Sequence, residues 1–481
     1  MTTEPAQEHS PTPFELLNGT MFRIGGENQL ADRQSKWTEE PTDDDTRQAI
    51  ETTWHETLAD LHIRTGTLLK ADTVSFLLGA GASHECGGPL IGTIPVELER
   101  KLLEEGISSQ TDPNISDWLR CFYLVVQRLA GPDATTPPDS DALIGRRATL
   151  ADGTSEALPI NLELLLSMLY RWRAALPSEG GRLRIDGISA VDLRAEVIEE
   201  CLHRTTSTLA DLCELPTEDG RGAFDAYRTF LRKVLTRPLN LKRANIFTLN
   251  YDTLVEQAAD AEGVVLVDGF VGTLRRTFRP ECYDQDLYFP AETTEGRVHR
   301  LDRVLHLYKL HGSITWASEE PSWEDPYGVR AYDRTLNRNG KPVLIYPTCA
   351  KGGEVLGLPY SELLRHFASA VVRPQSVLFV LGYGFGDEHV NAILHQALAI
   401  PSFTLVLVDP SPRSRFVTTL LEWKDSRVWM LSGSTLGTFS GFVRYALADL
   451  RDEAIWRKVM ETHRALADAL DPSPSGGAVN G

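Results

Sequence analysis

The chain has 481 residues, 42% of them hydrophobic and 24% charged, an ordinary globular composition that excludes a fibrous repeat and wholesale disorder. Lys and Arg number 48 against 67 Asp and Glu, a formal charge of −19, so a phosphate backbone is repelled at long range and general nucleic-acid binding is disfavoured. No stretch reaches the roughly 18 to 20 apolar residues that a bilayer-spanning helix needs, and the acidic, proline-bearing start MTTEPAQEHSPTPFELL does not read as a secretory signal, so the cytoplasm is the expected location.

Residues 1–52 are polar and lack a sustained apolar period, which predicts a flexible or loosely docked extension before a catalytic domain over 53–440. The first strong element is the run VSFLL at 74–78, short, apolar and stopped by glycine, as a buried parallel strand is. Helical periodicity follows from about Pro95, then over 115–129, 162–176, 190–215 and 223–235. A Pro/Asp/Gly-rich stretch lies around 131–158, so 95–240 reads as a helical insertion. Strand signals return at 245–249, 264–267, 304–310, 343–346, 376–381, 403–408 and 427–431. The clearest helix begins after Gly386, where Val390, Ile393, Leu394, Ala397 and Leu398 share one face and Asp387 is placed to cap the first turn. Helical sequence runs from about Phe439, giving a C-terminal helix over 441–470 ahead of a disordered tail at 471–481. Strand, glycine turn, helix and strand in succession predict an α/β fold, a doubly wound parallel sheet of the Rossmann-like kind.

Four segments end strands with residues suited to chemistry. The turn Gly79-Ala80-Gly81-Ala82-Ser83 is built to let a backbone approach a pyrophosphate, with amide groups and the Ser83 hydroxyl as donors. It lacks a third glycine, and no Gly-Lys-Ser/Thr occurs, so a P-loop is not supported. The segments TLNYDTL at 248–254 and KLHGSITW at 309–316 place Asn250, Asp252 and His311 beyond two further strands, and Gly382-Tyr383-Gly384 opens a second glycine-rich turn. In an open parallel sheet, all of these face one crevice. A plain reading stands beside this one: His311 as a core histidine, Asn250 as a strand-ending turn residue, and Tyr251 and Trp316 as packing residues. The six cysteines, Cys86, Cys121, Cys201, Cys213, Cys282 and Cys349, show no Cys-x-x-Cys pair, so they read as reduced thiols and no metal site is expected. Arg275, Arg276 and Arg279 form a local basic cluster that reads as a solvated loop.

Together, GAGAS, TLNYDTL, KLHGSITW and LGYGFGDEHVNAIL, in that order, resemble the sirtuin-like family, specifically its bacterial defence-associated branch of NADases; Asn161-Leu162-Glu163-Leu164-Leu165 also resembles a stretch of that branch. The resemblance spans roughly residues 74–410. It implies that Asn250 holds the nicotinamide riboside and a water, Asp252 helps recognise the carboxamide, and His311 acts as a base toward the ribose hydroxyls. It further implies that residues 79–83 cradle phosphate and ribose, and that Gly382, Tyr383, Gly384 and Asp409 sit by the adenosine half. Protein-deacetylating relatives carry a zinc module with two cysteine pairs, absent here, so water is the favoured acceptor. The resulting expectation is an NAD+ glycohydrolase that serves anti-phage defence by depleting NAD+. The alternatives are a sensing module without turnover and a protein ADP-ribosyltransferase or deacetylase. An enzyme toxic to its own cell needs a regulator, and the resemblance implies a homo-oligomer and a separate partner such as a hexameric HerA-type ATPase.

Overall fold

The computed structural model describes residues 11–470, except 91, 108–114, 131–140, 142, 145–146, 148–161, 178–180, 186–190, 216–221, 291–297, 333–341 and 345–358. The strand Thr73–Leu78 lies at its centre, paired in parallel with Ser376–Leu381 on one side and Asn245–Thr248 on the other. Successive strand residues point to opposite faces. Phe76, Phe379 and Val406 therefore enter one core, while Leu77, Leu378 and Leu405 enter a second across the sheet. Burial on both faces is why these strands read as continuous apolar runs.

The whole sheet has nine strands, in the order Glu27–Asn28, Met21–Ile24, Val428–Ser432, Thr404–Val408, Ser376–Leu381, Thr73–Leu78, Asn245–Thr248, Val304–Lys309 and Val265–Val267. The last seven pair in parallel, and Met21–Ile24 runs antiparallel to both of its neighbours. From Thr73–Leu78 the chain first builds outward through Asn245–Thr248, then returns to build on the other side from Ser376–Leu381. The order thus reverses between those two neighbours, a topological switch point at which open α/β sheets bind ligands. The expected Rossmann-like α/β architecture is the one the chain adopts.

The helices Ile94–Gly106, Asp117–Ala130, Leu162–Ala174, Ala195–Leu212 and Gly222–Val234 occupy the expected insertion. Leu102, Phe122, Leu165 and Ile198 form a third core together with Ile314 and the partly buried Tyr251. The insertion is thereby anchored on two of the strand-end segments. The helix expected over 190–215 begins at Ala195, and Val191–Arg194 before it form a strand that pairs with Arg182–Ile185.

Two expectations need correction. Composition suggests a loosely docked extension before residue 53, but Met21–Ile24 pairs antiparallel with Val428–Ser432. Phe22 is buried against Trp429 with ring centroids 5.7 Å apart, and helix Asp44–Leu68 buries Trp54 and Leu61. Averaging over a polar window hides a few well-spaced apolar residues whose partners lie hundreds of positions away. The second is an antiparallel sheet, ordered Pro342–Leu344, Gly312–Ser318, Val329–Ala331, Arg276–Phe278 and Phe270–Val271, of which the sequence signals only the strand near 343–346. All but Gly312–Ser318 have two or three residues, and two of them carry an arginine, so no period accumulates. Trp316 packs within it against Phe270 and Phe278. The tail 471–481, most of 131–158, Asn161 and Cys349 lie outside the described residues.

Candidate functional site

Sheet register brings the strand ends to one level. Leu78 pairs with Thr248 and Thr248 with Lys309, while Leu381 pairs with both Leu78 and Val408. Asn250 stands two residues beyond Thr248 and His311 two beyond Lys309, so they leave neighbouring strands at the same height. Residues 79–83 and 382–384 leave the two strands that flank the switch point.

Asn250 is held from behind. Its Nδ2 donates to the Gly79 carbonyl at 2.9 Å and to Ser83 Oγ at 2.9 Å. A carbonyl oxygen only accepts, so the amide orientation follows from chemistry. Oδ1 faces away from that anchor, and among the described residues no donor reaches it. Ser83 Oγ in turn donates to Asp252 Oδ2 at 2.6 Å. Asp252 is buried, and its Oδ1 accepts from the Leu254 amide at 3.0 Å, securing the start of helix Leu254–Glu262. The Tyr227 hydroxyl lies 3.3 Å from Ser83 Oγ, and burial followed by the nearby Asp252 charge pushes its pKa well above the ordinary tyrosine value, so it stays protonated. Ser83, 3% exposed, is thus the hub of a buried network rather than a free donor at a surface.

His311 occupies a corner where the parallel sheet turns into the antiparallel one. The turn requires Gly312 at φ +87°, a conformation that favours glycine. His311 Nε2 lies 3.0 Å from Asp387 Oδ2. Burial works to raise the Asp387 carboxyl, but the hydrogen bond and charge of His311, with the amides of Val390 and His389, overcome it and hold the group below its ordinary value. Asp387 is therefore a carboxylate, an acceptor only, and a neutral His311 must carry its proton on Nε2. Nδ1 is left as the basic lone pair. Asp387 also caps helix Glu388–Leu398, as the sequence predicts, accepting from His389 N at 2.8 Å and Val390 N at 3.2 Å. Its link to His311 is a residue role that spacing gave no sign of.

The two glycine turns pack on each other. A Cβ at Gly79 would meet Gly382 O at 2.6 Å, one at Gly81 would meet Gly382 Cα at 2.8 Å, and one at Gly382 would meet Ala82 N at 2.4 Å. The amides of Gly79, Gly81 and Ala82 bond to Leu381 O, Gly382 O and Gly79 O. Close backbone approach at this point is accordingly between loops, whereas Gly384 faces open space. Tyr383 is buried, and its hydroxyl accepts from the Asp387 amide at 3.0 Å, so it shapes the turn that presents Asp387. Asp409 ends the next strand, its carboxylate accepting from Ser411 N at 2.8 Å.

A cavity of about 780 Å³ opens between the two sheets, lined by Thr253, Glu256, Lys309, Thr315 and residues of the antiparallel strands. None of the predicted site residues lines it. Lys309 links the two regions, its Nζ donating to the Asp252 carbonyl and, at 2.8 Å, to Glu256 Oε1. Burial raises the Glu256 carboxyl above its ordinary value despite Lys309. Among the described residues, no group of three or more His, Cys, Asp or Glu is placed to hold a metal.

Residues 244–428 match the family model of the SIR2-like domain. The match covers less than half of the chain. This SIR2-like segment includes Asn250, Asp252, His311, Gly382, Tyr383, Gly384, Asp387 and Asp409, and it excludes residues 79–83. SIR2-like domains use NAD+. No curated protein matches the chain. Among the described residues, no helix is long and apolar enough to cross a membrane.

Proposed function

We propose that the chain is an NAD+ glycohydrolase that releases nicotinamide and ADP-ribose. The observation that supports this reading is that Asn250 and His311 each follow one of two neighbouring strands, two residues beyond the paired Thr248 and Lys309, and that each is held through one side-chain atom. Asn250 is anchored through Nδ2 and His311 through Nε2, which leaves the Asn250 carbonyl oxygen and the His311 Nδ1 as acceptors.

Cleaving the nicotinamide-ribose bond sends its electron pair to the pyridine nitrogen, which becomes neutral, and builds positive charge on the sugar. Water then supplies the new C–O bond and loses one proton. His311 Nδ1 accepts a hydrogen bond from a ribose hydroxyl and raises electron density at the sugar, while Asn250 Oδ1 orients the attacking water. Neither role needs a strong acid, because the leaving group departs uncharged. The SIR2-like match supports NAD+ as the substrate. The scattered cysteines leave no support for a zinc-bound peptide groove, and so favour water over an acyl-lysine.

NAD+ loss is toxic to the producing cell, so the activity requires a trigger. We further propose anti-phage defence as its setting, with a homo-oligomer and a separate regulator such as a HerA-type ATPase supplying control. Chromatography of nicotinamide and ADP-ribose, with purified protein alone and with neighbouring gene products, tests the reading. Nicotinamide release should fall by at least about 10²-fold in His311→Ala and in Asn250→Ala, the scale of a lost general base or positioned water. Unchanged nicotinamide under every condition would leave an NAD+ sensor without turnover, and release that survives both substitutions would refute the site.

A further inference from the structure

We propose that Lys309 is a positioning residue for the reaction: its ammonium group ties the loop that carries Asn250 to the strand end that carries His311. Its effect on turnover rests on the glycohydrolase reading; its effect on the fit between the two segments does not.

Asn250 and His311 leave neighbouring strands, and hydrogen bonds cross between the segments around them. The Leu310 amide donates to the Thr248 carbonyl at 2.8 Å and the Ile314 amide to the Tyr251 carbonyl at 3.1 Å. Ser313 Oγ adds a longer contact to the Tyr251 carbonyl at 3.5 Å. Lys309 Nζ donates to the Asp252 carbonyl. The two backbone bonds are open to almost any residue. The bond from Lys309 needs a long side chain with a donor at its tip, and it runs from the residue two before His311 to the residue two after Asn250. From Asp252 the contact continues back to Asn250, because Asp252 Oδ2 accepts from Ser83 Oγ, which accepts from Asn250 Nδ2 at 2.9 Å. One side chain therefore touches the network that aims Asn250 and belongs to the strand that aims His311.

Fold stability alone does not account for a lysine at this point. Lys309 is 2% exposed, and taking an ammonium group out of water costs more than one ion pair usually offsets, so an apolar side chain of similar length serves a core as well or better. The local field is also adverse. Nζ lies at the start of helix Leu254–Glu262, the positive end of the helix dipole. Glu256, in the first turn of that helix, counters both effects by accepting from Nζ at 2.8 Å. What the lysine adds, and an apolar residue cannot, is a donor fixed on the Asp252 carbonyl. Asn250 Oδ1 and His311 Nδ1 have to meet one sugar together, and a misplacement of about 1 Å between such groups can lower a rate by about 10²-fold.

Hydrogen exchange of the full-length protein, read by mass spectrometry, tests this beside nicotinamide release. The variants are Lys309→Met and the double variant Lys309→Met, Glu256→Met, in which no carboxylate is left without its cation. In both, the amides of 248–254 and 309–316 should exchange at least about fivefold faster while the strand Thr73–Leu78 keeps its wild-type protection, the mark of a local rather than a global loosening. The kcat for nicotinamide release should fall at least about tenfold with KM within about twofold, because alignment is lost and the binding surface is not. A wild type that releases no nicotinamide under any condition refutes the glycohydrolase reading and leaves the exchange measurement to decide alone. The positioning role is overturned by wild-type exchange rates in both segments, by faster exchange throughout the sheet, by an unchanged kcat in an active enzyme, or by turnover that only follows the melting temperature across the two variants.

Discussion

Asp387 performs two jobs with its two oxygens. Oδ1 caps a helix while Oδ2 holds the His311 ring, and a substitution can separate the jobs. Asparagine caps helices about as well as aspartate, so Asp387→Asn should leave the melting temperature within a few degrees of the wild type. Its side chain can also donate to Nε2, which would move the histidine proton to Nδ1 and remove the base. Nicotinamide release should then fall by roughly 10- to 10³-fold with a changed pH profile, whereas a merely structural Asp387 would leave the rate tracking stability. Ser83 shows the same economy, accepting from Asn250 and donating to Asp252. Its place in the glycine turn is legible in the sequence. Its partners, more than 160 positions away, are not.

Among the elements, the edge strand Met21–Ile24 decides how much of the N-terminal region belongs to the folded body. Phe22 is 2% exposed and packs into the core with Leu61 and Leu431. Phe22→Ala should destabilise the protein by about 3 to 4 kcal/mol, as a large buried aromatic does, read as a lower midpoint in urea. A change under about 0.5 kcal/mol would restore the loosely docked reading. The antiparallel sheet matters in another way: of the basic cluster expected as a solvated loop, Arg275 does lie in an exposed bend, whereas Arg276 enters the strand Arg276–Phe278 and pairs with Asp268. Periodicity failed here because strands of two or three residues are too short to display it, and pairing with distant strands supplies their order instead.

For the whole molecule, acid should weaken folding before the carboxylates titrate. Burial first, then the positive charge of Lys233, lowers His62 to about 4, and burial first, then Arg243, lowers His306 to about 4. Both folded values lie below the ordinary 6.5, so the unfolded chain takes up protons first. Their contribution to stability is present above about pH 6.5 and is lost as pH falls toward 4, by up to about 1.4 kcal/mol per pH unit for each group. Urea midpoints at pH 7.5 and 5.5 should therefore fall further in the wild type than in a His62→Gln, His306→Gln double variant. Equal drops in the two proteins would remove histidine burial as the cause.

Continuous apolar runs, glycine stops and a 3.6-residue period are local properties, so the chain alone determined the central strands, the insertion helices and the strand-end segments with Asn250, His311 and the glycine turns. Tertiary structure alone decided which atom of Asn250 and of His311 stays free, that the glycines meet each other, and that Asp387 reaches the histidine. Each of these depends on strand register between segments tens to hundreds of residues apart, and one step of register would turn every side chain to the other face.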